Sequence, residues 1–411
     1  MRRPIAISLS PNAEIDDIML ALKTIFMPWK WNDNQEVKKF ESDFAKVIGN
    51  DNVLAVNSGR SAEYLILKAM GIKSGDEVII QAFSCVAVPN SILWLGATPV
   101  YVDIDDSYNM DVDDLKKKIT KMTKAVIIQH TFGIPADIEK IRGVVEKEGL
   151  YLIEDCAHSL GVKINNKYVG TFGDAAFFSF GRDKIISSVF GGMAITSNNE
   201  LFEKMRKIRA NLNLNGKFWT FQQLFHPIAF SFILPTYNSG VGKLILFLFL
   251  KLGLLSKPVY REEMYSKEVD IFPAKMSGAL AILARNQLHK LNKFNQHRKH
   301  ISDLYISELG TTNLKIVRNN NAIWLRFPIS HPKAYDLFRY LKSKKILVGK
   351  WYKDVLEPGI NMSDFHYKKG SCPKAEYYAK HTINLPTYPL LSVRETNLII
   401  YSIKQWLKNL Q

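Results

Sequence analysis

The chain has 411 residues, 47% hydrophobic and 23% charged, enough for two or three domains around a large core and unlike disordered or fibrous compositions. Its formal net charge of +16 points to an anionic membrane face or phosphorylated substrates rather than nucleic acid, because no zinc-finger spacing and no RRM-type aromatic motif accompanies it. Three cysteines, Cys85, Cys156 and Cys372, lack paired or metal-ligand spacing, so neither a disulfide framework nor a metal centre is expected and a reducing cytoplasm is. The start, MRRPIAIS, has two arginines but no following apolar region, so no signal peptide is expected.

In chain order, a helical pattern over Val37–Ile48 precedes a short apolar run, Val53–Val56. Asn57-Ser58-Gly59-Arg60-Ser61 then leads into helical spacing over Ala62–Met70. A glycine-serine turn between a strand and a helix start aims backbone N–H groups at an anion, typically phosphate; the same residues also read as a plain N-cap. Strands are expected at Glu77–Ile80, Pro99–Ile104, Ala125–Gln129, Tyr151–Glu154, Ala175–Phe180 and Met193–Thr196. Helices are expected at Val86–Leu95, Val112–Ile119, Ile138–Glu148 and Leu201–Leu212. This order implies a largely parallel sheet with right-handed crossovers, whose ligands sit beyond the strand carboxyl ends. Ser58–Ser61, Phe83–Cys85, His130 and Asp155–His158 all fall there.

Residues 213–262 break the pattern. Two apolar arms, Pro227–Leu234 and Leu244–Leu255, flank Asn238-Ser239-Gly240, and Lys243, Lys251 and Lys257 punctuate the second. Neither arm reaches the ~20 apolar residues that span a bilayer. A hairpin lying in the headgroup region and one buried against the body or a second subunit both fit. A long helical pattern then runs from Phe272 to about Leu309. A smaller α/β region follows: strand Trp324–Phe327, helix Tyr335–Lys342, strand Ile346–Lys350, a strand ending at Asn384-Leu385-Pro386 and a last helix over Val393–Leu407. The implied organisation is a large domain over 1–212, the insertion 213–262, and a linking helix with a small domain over 263–411.

The stretch 151–192 carries the chemistry. Tyr151–Ile153 delivers Glu154 and Asp155 at its carboxyl end, and Ala175–Phe180 runs on to Gly181-Arg182-Asp183-Lys184. Singly, an acid at a strand end reads as a cap and a loop lysine as a solvated charge. Together, an acid past one strand and a lysine past another meet the needs of pyridoxal 5'-phosphate (PLP): a carboxylate for the ring nitrogen and an amine for the aldehyde.

The stretches NSGRSA (57–62), GDEVII (75–80), LGATPVYVDID (95–105), HTFGIPADI (130–138), IEDCAHSLG (153–161), VGTFGDAAFFSFGRDK (169–184), GGMAITSN (191–198) and INLPTYPL (383–390), in this order, resemble the DegT-type sugar aminotransferases of PLP fold type I. The resemblance covers most of the chain outside 213–262. It implies an α/β fold with a mainly parallel central sheet and a smaller C-terminal α/β domain. It makes Lys184 the Schiff-base lysine, places Asp155 on the pyridine nitrogen and sets His158 near the phenolic oxygen. Ser179 with Ser58, Gly59, Arg60 and Ser61 would hold the phosphate. Arg60 stands where many members have threonine, and Cys85 where many stack an aromatic ring on the cofactor. Pro273 and Lys275 occupy the places of an Asn–x–Arg pair that reaches the partner subunit's site, so Lys275, with His130, is a candidate substrate contact, without bidentate recognition. Relatives with histidine in place of the lysine deoxygenate, so Lys184 favours amino transfer. The resemblance further implies a homodimer, glutamate as common donor and a keto-sugar acceptor, nucleotide-linked, in surface-polysaccharide synthesis. A membrane-surface enzyme acting on a lipid-linked sugar and a non-catalytic regulator or scaffold are the alternatives.

Overall fold

Seven runs rich in β-branched and aromatic residues make one sheet in the computed structural model, which describes residues 4–9 and 12–410; the two arginines at the chain start lie outside the described residues. The strands are β1 (Val53–Val56), β2 (Glu77–Gln81), β3 (Thr98–Val102), β4 (Thr123–Gln129), β5 (Tyr151–Asp155), β6 (Ala175–Ser179) and β7 (Gly192–Ile195). Their spatial order is β1-β7-β6-β5-β4-β2-β3, with β7 antiparallel to both neighbours and every other pairing parallel. Both faces are covered. Leu54, Val56, Ala175 and Phe177 join one hydrophobic core, while Val53, Ala55, Ala176 and Phe178 join another. Alternate residues facing opposite cores is the period of two that a strand imposes.

Helix Gly59–Ala69 packs Leu65 and Ile66 into the first core. On the other face, helix Asn34–Ile48 brings Phe40 and Phe44 edge-on to Phe178 and Phe180. Near the C-terminus, Lys315–Ile316, Phe327–Ser330 and Thr382–Leu385 form a three-stranded antiparallel sheet. Leu356–Glu357 pairs with Ser84–Cys85 and so ties this region to the edge of the central sheet.

Three expectations are corrected. The long helix from Phe272 is two helices, Gly278–Leu288 and Leu291–Leu309. Before them, residues 272–277 are not helical: the Asn57 amide donates to the Ala274 carbonyl, and Lys275 bridges to Val56 and Leu214. The strand expected at Trp324–Phe327 is Phe327–Ser330, since Trp324 has φ +57 and cannot lie in a ladder. The strand at Ile346–Lys350 shrinks to Ile346–Leu347, paired with Ile5–Ala6. Helices Ile15–Ile25 and Pro373–His381 were not anticipated. The two apolar arms are helices Lys217–Thr236 and Val241–Lys251. Among the described residues no helix is long and apolar enough to cross a membrane.

Candidate active site

The strand order brings four loops to one edge. β1, β5 and β6 end there and β7 begins there: Phe177 pairs with Asp155, Ser179 with Gly192, and Ser58 bridges to Gly191. Ser58 caps the helix Gly59–Ala69, its Oγ accepting the Ser61 amide at 3.1 Å while the Ser61 hydroxyl donates to Asn57 Oδ1 at 2.6 Å. No acceptor among the described residues is paired with the Gly59 and Arg60 amides, the first orphan donors of that helix. A Cβ on Gly59 would lie 2.9 Å from Ser179 Cβ, so only glycine lets the helix start close on the end of β6. The result is a cradle of two free amides beside the Ser179 hydroxyl, at the positive end of a helix dipole.

Asp155 is buried. Its Oδ1 accepts the Ala157 amide at 2.9 Å, and no donor among the described residues is paired with Oδ2. Burial pushes its carboxyl above the usual range, against the Ala157 amide and the Lys184 charge. A buried acid in that condition calls for a cationic N–H partner, which a protonated pyridine supplies. Lys184 is partly exposed at this edge. Burial holds its ammonium below the usual lysine range, with Asp183 and Asp155 opposing and Arg326 assisting. Its backbone is clamped: the Lys184 amide donates to Gly181 O at 3.2 Å, and Asn12 Nδ2 donates to the Lys184 and Ile185 carbonyls. Arg298, fully buried, donates to Asn12 Oδ1 and Ile185 O, both at 3.1 Å.

His158 is buried and stacked on Phe132, ring centroids 6.0 Å apart. Its Nδ1 accepts the Phe132 amide at 3.3 Å. Burial, then the Lys184 and Arg326 charges, holds the ring well below the usual histidine range. It is therefore neutral, with the proton on Nε2 as a donor.

The remaining sequence candidates are placed as follows. Cys85 is a half-buried thiol on the Ser84–Cys85 strand, in electrostatic reach of Lys184 and Arg60. The Arg60 guanidinium is taken up by Glu263, the Pro258 carbonyl at 3.0 Å and the Phe272 ring at 4.4 Å. Its amide, at the helix start, is left for an anion at the cradle. Lys275 Nζ donates to the Ala210 carbonyl at 2.7 Å. His130 is corrected as a substrate contact: it is fully buried, Nδ1 accepts the Ala136 amide at 3.0 Å and Nε2 donates to Glu154 at 3.1 Å. Glu154 in turn accepts the Gly170, Phe172 and Gly173 amides, so this acid holds the turn there.

The structure adds residues the motifs did not reveal. Asp183 pairs with Arg326, whose guanidinium stacks on Trp351 at 3.5 Å, fixing the segment before Lys184 to the C-terminal region. An arginine inside the apolar run Trp324–Phe327 was the available signal. Arg182 reaches the Ser256 carbonyl and hydroxyl, both at 2.6 Å. Glu63, on the buried side of helix Gly59–Ala69, has an Oε1 with no partner. Burial first, and the Asp155 charge second, push its carboxyl well above the ordinary value of 4.5. A folded-state value raised above the unfolded one contributes stability that is complete in acid and is lost as pH rises. Glu63→Gln is therefore expected to raise the melting temperature by roughly 2–4 °C at neutral pH. The gap should close below the ordinary glutamate range; a gap that does not change with pH would show that Glu63 is not the titrating group.

A mostly parallel sheet with an acid ending one strand and a lysine past its neighbour, and a helix-start cradle beside them, matches the α/β fold of PLP-dependent aminotransferases. The chain belongs to the DegT/DnrJ/EryC1/StrS aminotransferase family, whose pattern matches residues 13–242 and 248–404. It is similar to the GDP-perosamine synthase of Vibrio cholerae, 27% identical over 92% of each chain. It is also similar to the UDP-N-acetyl-3-dehydro-alpha-D-glucosamine 3-aminotransferase of Acidithiobacillus ferrooxidans, 28% identical over 95% of this chain and 94% of that one. Among solved structures, the PLP form of the putative sugar aminotransferase Spr1654 from Streptococcus pneumoniae shares the fold. Its TM-score is 0.77 at 21% identity, covering 100% of this chain and 99% of that one.

Proposed function

We propose that Lys184, Asp155 and His158 are the catalytic set of a PLP-dependent aminotransferase that moves an amino group from a donor, glutamate by the family's habit, to a keto-sugar. The observation that carries this is that buried Asp155, with its unpaired Oδ2, and Lys184 lie in electrostatic reach of each other at the strand end that forms the Gly59–Ser179 cradle. The residues fit PLP. The Gly59 and Arg60 amides with the Ser58, Ser61 and Ser179 hydroxyls would hold its phosphate, and Cys85 would pack beside its ring. Bound there, PLP supplies an electron sink for the carbon that loses a proton. Asp155 would hold a proton at the ring nitrogen, since a cation facing Oδ2 favours its ionised form against burial. His158 Nε2–H would be the donor available to the phenolic oxygen. Lys184, whose ammonium burial holds below the usual lysine range, would anchor the group and carry the proton to and from the substrate.

The relatives named for GDP- and UDP-linked sugars support a nucleotide-linked keto-sugar, and similarity to a spore coat polysaccharide biosynthesis protein of Bacillus subtilis supports a role in surface polysaccharide synthesis. We infer a homodimer in the cytoplasm, with Lys275 of each chain serving the partner's substrate phosphates. The PLP-loaded protein mixed with glutamate is expected to lose its long-wavelength absorbance and release 2-oxoglutarate. A nucleotide-linked keto-sugar is expected to restore the band. A loaded protein whose spectrum responds to no amino donor would overturn the reading. A second reading, the same reaction on a lipid-linked sugar, is favoured by the contact of Arg182, two residues before Lys184, with Ser256 at the foot of the apolar hairpin.

A further inference from the structure

Helix Lys217–Thr236 is anchored. Leu224, Phe230 and Ile233 are buried on it, and Gln223 and Gln222 tie its first half to Ser256 and to the Gly253 carbonyl. Helix Val241–Lys251 is held to it at one close crossing. A Cβ on Gly242 would lie 2.2 Å from the Ile233 carbonyl, so the glycine sets the approach. Phe225 and Phe249 meet across the pair at 5.4 Å. This packing uses one side of the second helix and leaves the other bare. Val241, Leu244, Phe247 and Leu248 recur at helical spacing on the outward face, with Leu244 59% and Phe247 60% exposed. Leu252, just past the helix, and Phe232 on the first helix are each 67% exposed. The family pattern leaves residues 243–247 unmatched, so this tip is not part of what it describes.

Charge decides the occupant. From Lys217 to Arg261 the chain has Lys217, Lys243, Lys251, Lys257 and Arg261 and no aspartate or glutamate; all five cations are exposed. Pairing this face with itself in a second copy would bring the two sets of cations together with no carboxylate of the segment between them. An anionic bilayer neutralises both sets and takes the apolar side chains below its headgroups. Eleven residues at about 1.5 Å each reach about 16 Å, which suits lying in the interface and not crossing it. We propose that helix Val241–Lys251 docks on the surface of an anionic membrane, Leu244, Phe247 and Leu248 inserted and the lysines at phosphate level. This proposal is independent of the chemistry at Lys184.

The test is flotation of the full chain with phosphatidylcholine vesicles, with and without roughly one-third phosphatidylglycerol. The protein is expected to float only with the anionic vesicles, and less at high salt. Leu244→Ser/Phe247→Ser and Lys243→Glu/Lys251→Glu are each expected to cut the bound fraction about tenfold, with circular dichroism unchanged because the altered residues are exposed. Wild type that stays unbound at low salt, or double variants that bind as well as wild type, would overturn the proposal. So would a wild type that ignores vesicles but loses its dimeric mass on Leu244→Ser/Phe247→Ser, which would assign the face to a second copy.

Discussion

Lys184→Ala is expected to lower turnover by at least about 10³-fold, because both the covalent anchor and the proton carrier are lost at one position. The fold should survive. The loop is held through its backbone, by Asn12 on the Lys184 and Ile185 carbonyls and by Arg298 on Ile185, and none of these bonds uses the lysine amine. The variant should therefore elute and melt like wild type while showing no visible band after incubation with PLP. Turnover within about tenfold of wild type, measured as 2-oxoglutarate release, would remove Lys184 from the chemistry.

Asp155→Asn is expected to cost about 10²–10⁴-fold in turnover with little change in folding. Asparagine keeps the shape and, through its amide oxygen, the bond from the Ala157 amide at 2.9 Å. It removes the charge that would keep a ring nitrogen protonated, and it removes a buried acid whose own burial disfavours ionisation. The native state of cofactor-free protein should be no less stable in the variant, whereas the holoenzyme should lose the added stability that PLP gives wild type. A variant that keeps full turnover would show that the carboxylate has no part in activating the ring. Melting both forms with and without PLP separates that outcome from simple misfolding.

Most of the sheet was legible because its strands are short apolar runs separated by helical spacing. Each of the seven strands lies within two residues of its expected bounds. The gathering of Asp155, Ser179 and Lys184 at one edge was legible for the same reason, since chain order sends these strand ends to the same side. What the sequence hid was set by contacts distant along the chain. Phe272–Ser277 has the apolar spacing of the helix that follows, yet the Asn57 amide takes the Ala274 carbonyl and Lys275 bridges to Val56, so it is not helical. His130 ends a strand beside the site, but its ring turns to the Ala136 amide and Glu154. Arg60 reads as an anion contact within NSGRSA, and Glu263, 203 residues away, claims its guanidinium. The Asp183–Arg326 pair spans 143 residues and has no local signature apart from a charge in an apolar run.

Borohydride treatment of the PLP-loaded protein, followed by proteolysis and mass spectrometry, tests the central assignment most directly. The added pyridoxyl mass is expected on the peptide that contains Lys184 and nowhere else among the lysines. Label on another lysine, or a loaded protein that takes up no label, would contradict it.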